Sequence, residues 1–327
     1  MAMSVSAVAG VTDWAERIRA GLVEPVERAF VGQREAVEMA ALCLLAGGHL
    51  LVEGPPGTGK TTLARALAAC LRPAEGARAW GRVQFTPDLL PADITGYEQP
   101  LLTGGPGEFR HGPLFAHVVV ADEINRASPR TQSALLEAME EGRVTVGNRS
   151  HALPAPFLVV ATQNPVDLHG TYLLPDAEMD RFLVRTAVDF PARETELDIA
   201  AGRLVPPDDL ACPQLAAADI LAARAALASV AVTDTLVGYA LDIARATRRS
   251  PALTHGVSVR ATRALVTAAR ARAFLAARPY ADATDVRDLA LPVLAHRLLP
   301  ASDLDAASVL TALLAEVPAP ESAACAP

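Results

Sequence analysis

Residues 49 to 71 constrain the fold more tightly than any other segment. His49-Leu50-Leu51-Val52-Glu53 is an apolar run of strand length, Gly54-Pro55-Pro56-Gly57-Thr58-Gly59-Lys60-Thr61 follows it, and a helical pattern runs from Lys60 to Leu71. The glycines let the backbone curl until successive N–H groups face one anion, and the helix behind adds its positive end. The spacing Gly54-x-x-x-x-Gly59-Lys60-Thr61 is that of a phosphate-binding loop, and strand–loop–helix is the context such a loop requires. Lys60 is expected to reach the β- and γ-phosphates of ATP, and the Thr61 hydroxyl to hold Mg²⁺.

Composition singles out the same loop. The chain has 29 Lys+Arg, and its one lysine is Lys60. On a solvated surface the two residues interchange, but a tight phosphate cradle favours the compact ammonium over the broad guanidinium.

The rest of the chain alternates apolar strands with helices, which implies a parallel sheet covered on both faces. Residues 13–29 read as an amphipathic helix, 34–46 as a second helix, and 82–86 as a strand. Pro87 to Pro113 is rich in Gly and Pro and reads as an ordered insertion of turns and hairpins. His117 to Ala121 is a strand ending at Asp122-Glu123, and a helix over Pro129–Glu141 follows, with Ser128 as its N-cap. Residues 143–146 and 151–153 flank Gly147-Asn148 as a hairpin, and strands are expected over 157–162 and 184–188. Beyond Pro191 the chain turns Ala-rich and helical, with helices near 194–203, 216–229, 233–248, 259–277 and 283–297. The expected organisation is an α/β core over 1–192, an all-helical domain over 193–315 and a disordered tail over 316–327.

Asp122 and Glu123 close an apolar strand where open α/β sheets bind ligands. Asp122 can hold Mg²⁺ through water, and Glu123 is placed to orient or deprotonate an attacking water. Asn164, at the tip of the next strand, can hydrogen-bond the γ-phosphate or that water, or can serve as a turn residue before Pro165. Arg181, in Asp180-Arg181-Phe182, and Arg260, after Gly256-Val257-Ser258, are candidates for stabilising transition-state charge.

The net charge of −8 argues against a body that holds nucleic acid through its overall field. Cys43, Cys70, Cys212 and Cys325 form no C-x-x-C pair and no metal-ligand pattern with His. Cys43 and Cys70 lie in apolar helical runs and are expected as buried thiols in a cytoplasmic protein. No secretory signal and no membrane-spanning run is read. A guanine-recognition Asn-Lys-x-Asp motif is excluded by the single lysine.

Together these residues resemble the AAA+ ATPases, and more narrowly the MoxR family, from about Glu24 to about Arg297. The specific stretches are Phe30-Val31-Gly32-Gln33, the Gly54–Thr61 loop, Ala121-Asp122-Glu123-Ile124-Asn125-Arg126-Ala127, Ala161-Thr162-Gln163-Asn164-Pro165 and Leu174-Pro175-Asp176-Ala177-Glu178-Met179-Asp180-Arg181-Phe182. The resemblance implies that Val31, Gly32 and Gln33 line the adenine pocket and that Thr62 joins the loop residues at the nucleotide. It implies that Asn164 is the sensor-1 residue and that Arg260 is the sensor-2 residue, touching nucleotide in cis from the helical lid. Arg181 would be the arginine finger, acting on ATP bound to the neighbouring subunit, with Arg126 as its rival. The insertion around 87–113 and the 143–153 hairpin would face a ring's pore or substrate side. It further implies a homo-oligomer, a hexameric ring, that remodels or matures a client protein with a von Willebrand factor A domain partner. Alternatives are a nucleic-acid motor, the ATPase subunit of a metal-chelatase complex, or an ATP-bound scaffold. Val259 stands where the family commonly has Pro before the sensor-2 Arg.

Overall fold

The computed structural model describes residues 5–100, 107–164, 172, 174–212, 214–302 and 304–321. Pro165, residues 101–106 of the insertion and residues 322–327 of the expected tail lie outside them.

Five strands form one parallel sheet: β1 (Leu50–Glu53), β2 (Arg78–Gln84), β3 (Ala116–Asp122), β4 (Leu158–Gln163) and β5 (Val184–Ala187), in the order β5-β1-β4-β3-β2. Every residue of β3 is buried, as befits a parallel strand covered on both faces. The edge strand β2 runs four residues earlier than its expected start at Arg82, because only alternate positions of its outer half are covered and the apolar signal there is weak. Helices Arg34–Ala46 and Pro129–Glu141 fall where the sequence puts them. Gly47 and Gly142 end them in the left-handed conformation that an L side chain adopts at a cost.

The helix expected over 13–29 is three pieces, Val5–Ile18, a π-helical turn Arg19–Val23 and Glu24–Ala29. The helix after the loop stops at Ala69, because Leu71–Arg72 leaves it to pair in parallel with Leu215–Ala216. The later part of the chain is helical: Arg193–Ala200, Ala217–Leu227, Asp234–Arg249, Val259–Leu275 and Ala283–Leu294. Ala306–Glu316 is one more helix, buried through Leu310 and Leu314, so the expected tail begins as the end of a helix.

The helical part packs on the face of the sheet that carries Arg34–Ala46. Arg17 pairs with Asp219 at 3.1 Å, and Arg224 donates to the Leu44 carbonyl at 2.6 Å. Two hairpins stand off the sheet, Gly96–Gln99 with Glu108–His111 and Arg143–Val146 with Arg149–Ala152. They are tied by Phe109 stacked on His151 at 3.7 Å. Among the described residues no helix is long and apolar enough to cross a membrane.

Candidate active site

Strand β1 delivers the loop at the C-terminal edge of the sheet. Gly54 approaches β5 so closely that a Cβ there would sit 2.0 Å from the Val188 carbonyl oxygen. Gly57 and Gly59 have φ of 83° and 85°, and Gly59 is the N-cap of helix Lys60–Ala69. A left-handed curl of this kind is what lets successive loop N–H groups converge on one anion. Lys60 Nζ donates to the carbonyls of Gly54 and Pro55, both at 2.7 Å, so the ammonium is held over the cradle by the loop itself. Burial lowers the Lys60 pKa, and Asp122 and Glu123 work against that shift.

Asp122 ends β3 directly beside the loop. Thr61 Oγ1 lies 3.3 Å from each of its carboxylate oxygens, a pair of hard oxygen donors suited to a small divalent cation. Asp122 is only 6% exposed, and Arg82 Nε on β2 donates to it at 2.7 Å. Glu123 follows with φ 56° and ψ 51°, a left-handed conformation that is strained for a residue with a side chain. Its N–H donates to Thr162 Oγ1 at 3.0 Å, and its carboxylate accepts from Gln84 Nε2 at 3.1 Å and Arg126 Nε at 3.0 Å. The left-handed turn ends the strand at Glu123, and its carboxylate is held by Gln84 of the edge strand and by Arg126. Asn164, half-buried, follows Gln163, whose carbonyl accepts the Gly54 N–H at 3.3 Å; the β4 tip therefore borders the loop as well.

Beside the loop opens a cavity of about 280 Å³ walled by Val31, Gln33, Gly57, Thr62, Ile199 and Pro207, among others. Its mix of apolar side chains and loop backbone suits a flat heterocycle. Gln33 Nε2 donates to the Asp189 carbonyl at 2.9 Å and fixes that wall, while Gly32 turns the chain with φ 82°. The far wall, residues 191–207, carries no motif that the sequence could reveal.

Arg181 and Arg260 are elsewhere. Arg181 lies three residues before β5, and because β5 is parallel to β1 it sits at the N-terminal edge of the sheet, where His49 leads into β1. Arg260 joins it: both reach Glu140, at 3.4 Å and 2.7 Å. Gly48, His49, Arg181 and Arg260 line one cavity. The four residues of β1, at about 3.3 Å each, put roughly 13 Å between this cluster and the chain's own loop. The cis contact expected of Arg260 is therefore not made. Helix Val259–Leu275 packs with Arg34–Ala46, which carries its N-terminus to the wrong edge of the sheet for that contact. The helix itself starts as expected despite Val259, since Ser258 caps it by accepting the Ala261 N–H at 3.1 Å. Arg126, the rival finger, pairs with Glu123 of its own chain.

Sequence reasoning missed Arg82, Gln84 and Thr162, which hold the two acids. Arg82 and Gln84 share one face of β2 by period-two alternation, and the register sets Gln84 opposite Asp122. A polar pair on one face of an edge strand was the available signal.

A phosphate loop at the tip of β1, an acid pair at the tip of β3 and a helical lid define an ATPase of the AAA class. A family model described as ATPase family associated with various cellular activities (AAA) matches residues 49–184, and an AAA lid domain model matches residues 245–313. The chain is 42% identical over 278 residues to YeaC of Bacillus subtilis, covering 85% of each chain. It is 39% identical over 285 residues to the chaperone MoxR1 of Mycobacterium tuberculosis, covering 84% of this chain and 74% of that one. A solved structure from Cytophaga hutchinsonii, described as a candidate ATPase, superposes with a TM-score of 0.85 at 31% identity over 97% of this chain and 98% of that one. The chain belongs to the MoxR family of AAA+ ATPases, and it binds and hydrolyses ATP.

Proposed function

We propose that this ATPase is a Mg²⁺-dependent ring subunit, working as a chaperone-like remodeller or maturation factor of client proteins. Gly54 to Thr62 cradle the phosphates, Lys60 neutralises the β- and γ-oxygens, and Val31, Gly32 and Gln33 border the base. Thr61 and Asp122 would hold Mg²⁺, which when bound offsets charge on the phosphate oxygens. Glu123 orients and deprotonates the attacking water once it leaves Gln84 and Arg126, and Asn164 senses the γ-phosphate. Arg181, joined by Arg260, supplies cationic charge to ATP held by the adjacent copy.

One observation carries the ring reading. The loop and the two arginines lie at opposite ends of β1, so Arg181 or Arg260 could meet a γ-phosphate only on a second chain. A closed ring satisfies every site of such a heterologous contact, and a hexamer is the number proposed. The chaperone role rests on the likeness to a protein named as a chaperone, and a von Willebrand factor A domain protein is the proposed partner. The core over 1–192, the lid over 193–315 and a cytoplasmic setting belong to the same reading.

A second reading has a specific match behind it. The chain is 30% identical over 186 residues to an aerobic cobaltochelatase subunit, CobS, from Sinorhizobium, over 50% of this chain and 54% of that one. A metal-binding protein co-purifying with the chain would favour it.

The test is ATPase rate per subunit against protein concentration with Mg²⁺. A rate that climbs steeply and then levels off supports a site completed between chains. A flat rate from a monomer, checked by native mass, refutes it.

A further inference from the structure

The cavity of about 390 Å³ at the N-terminal edge of the sheet is lined by four arginines, Arg181, Arg260, Arg263 and Arg297, and by two acids, Asp180 and Glu140. Four guanidinium groups in one cavity repel, and each needs an anion to be held in a defined place. Asp180 is already engaged, by Arg297 Nε at 3.1 Å and the Ser258 hydroxyl at 3.3 Å. Arg297 is 4% exposed and also donates to the Phe182 carbonyl at 2.6 Å, so it is a buried strut that locks the Asp180–Phe182 turn to the lid. Burial pulls its pKa down to about 10 against the opposing pull of Asp180, and Arg260 lowers it further.

Glu140 is the carboxylate that serves Arg181 and Arg260. Its Oε1 accepts from Arg260 Nη2 at 2.7 Å, and its Oε2 faces Arg181 Nε at 3.4 Å. Each oxygen thus serves a guanidinium from a different part of the chain, one from the turn before β5 and one from the lid. Glu140 stands near the end of helix Pro129–Glu141, which starts six residues after Glu123. It is 43% exposed and Arg260 is 53% exposed, so the cluster opens to solvent.

We infer that Glu140 is a positioning residue for catalysis in the adjacent subunit: its carboxylate holds Arg181 and Arg260 side by side, pre-aimed at ATP bound to a second copy of this chain. This rests on the reading that these arginines act in trans. Pre-alignment matters because a flexible arginine loses rotamer freedom on reaching the phosphate, and a charge fixed beforehand avoids that cost in the transition state. Glu140 does not touch nucleotide, so its loss lowers turnover without weakening ATP binding at the loop of its own chain.

The experiment uses full-length chains at a concentration where the wild type has reached its plateau rate. Glu140→Ala is expected to lower kcat about tenfold or more while KM and the directly titrated ATP affinity stay within about twofold. Glu140→Gln keeps an acceptor for Arg260 and is expected to recover part of the loss. Mixing Glu140→Ala with Lys60→Ala chains is expected to restore activity, since one lends a working loop and the other an ordered arginine pair. Arg181→Ala mixed with Lys60→Ala is run alongside as the test of the underlying trans reading. Recovery in that control with an unchanged or faster rate for Glu140→Ala alone overturns the role of Glu140 and leaves the trans reading standing. Recovery in the control without recovery in the Glu140→Ala mixture overturns it too, because the defect then acts within its own chain. Failure of the control itself overturns the trans reading and the inference with it.

Discussion

His49 makes the fold sensitive to mild acid, and its environment sets the size of the effect. The imidazole is buried, 6% exposed, where β1, β4 and helix Pro129–Glu141 meet. Nδ1 accepts the Val159 N–H at 3.0 Å, so Nε2 carries the proton and donates to the Met139 carbonyl at 3.1 Å. A second proton on Nδ1 would face the Val159 donor and lose that bond. Burial lowers the pKa from 6.5 to about 4; the Met139 carbonyl opposes the shift and Arg224 adds to it. The folded value lies below the unfolded one, so between them the unfolded chain binds more protons. The stabilisation is complete above about pH 6.5 and is lost as pH falls toward about 4. From pH 7.5 to pH 5 the two pKa values give a loss of about 2 kcal/mol from this residue alone. His296, also lowered by burial and by Arg297, adds to the loss in the same direction. The assay is urea unfolding of wild type and His49→Gln at both pH values. The variant keeps a donor for Met139 but leaves the Val159 N–H unpaired, a cost of about 1–3 kcal/mol at pH 7.5. The gap between the two proteins should shrink by about 2 kcal/mol at pH 5. An equal gap at both pH values refutes the buried neutral imidazole.

Three further outcomes are expected. Lys60→Ala should abolish ATP binding in a calorimetric titration, since the chain has no second lysine to substitute; retained affinity would unseat the loop. Glu123→Gln should bind ATP with near-unchanged affinity but lose about 10²-fold or more in turnover, the range of general-base contributions; near wild-type turnover means another group activates the water. Val259→Pro should be neutral or stabilising by about 0.5 kcal/mol in thermal melts, because the residue is 75% exposed at the first position of a helix capped by Ser258, where Pro is favoured. A marked loss of stability would mean the helix begins elsewhere.

The sequence made the loop side of the site legible because local rules govern it. Gly54, Gly57 and Gly59 are demanded by a backbone curl, and Asp122 follows a strand too apolar to be anything but buried. Helices Arg34–Ala46 and Pro129–Glu141 carry glycine stops, so their ends were readable. Features set by long-range packing were not. The π turn at Arg19–Val23 leaves the apolar period of its helix unbroken. The pairing of Leu71–Arg72 with Leu215–Ala216 joins two dipeptides that carry no strand signal. Helix Ala306–Glu316 buries only Leu310 and Leu314, too narrow a stripe to stand out in an Ala-rich region. The position of Arg260 depends on how the lid packs on Arg34–Ala46, and no spacing along the chain encodes that.

The most direct test of the site shared between chains is the structure of the Glu123→Gln protein assembled with ATP and Mg²⁺. The account predicts a closed ring in which the guanidinium groups of Arg181 and Arg260 lie within about 3–4 Å of the γ-phosphate on the neighbouring chain, at ion-pair distance, and well away from the phosphate on their own loop. Either arginine on the γ-phosphate of its own chain, or ATP-loaded monomers at a concentration where the wild type turns over, would contradict it.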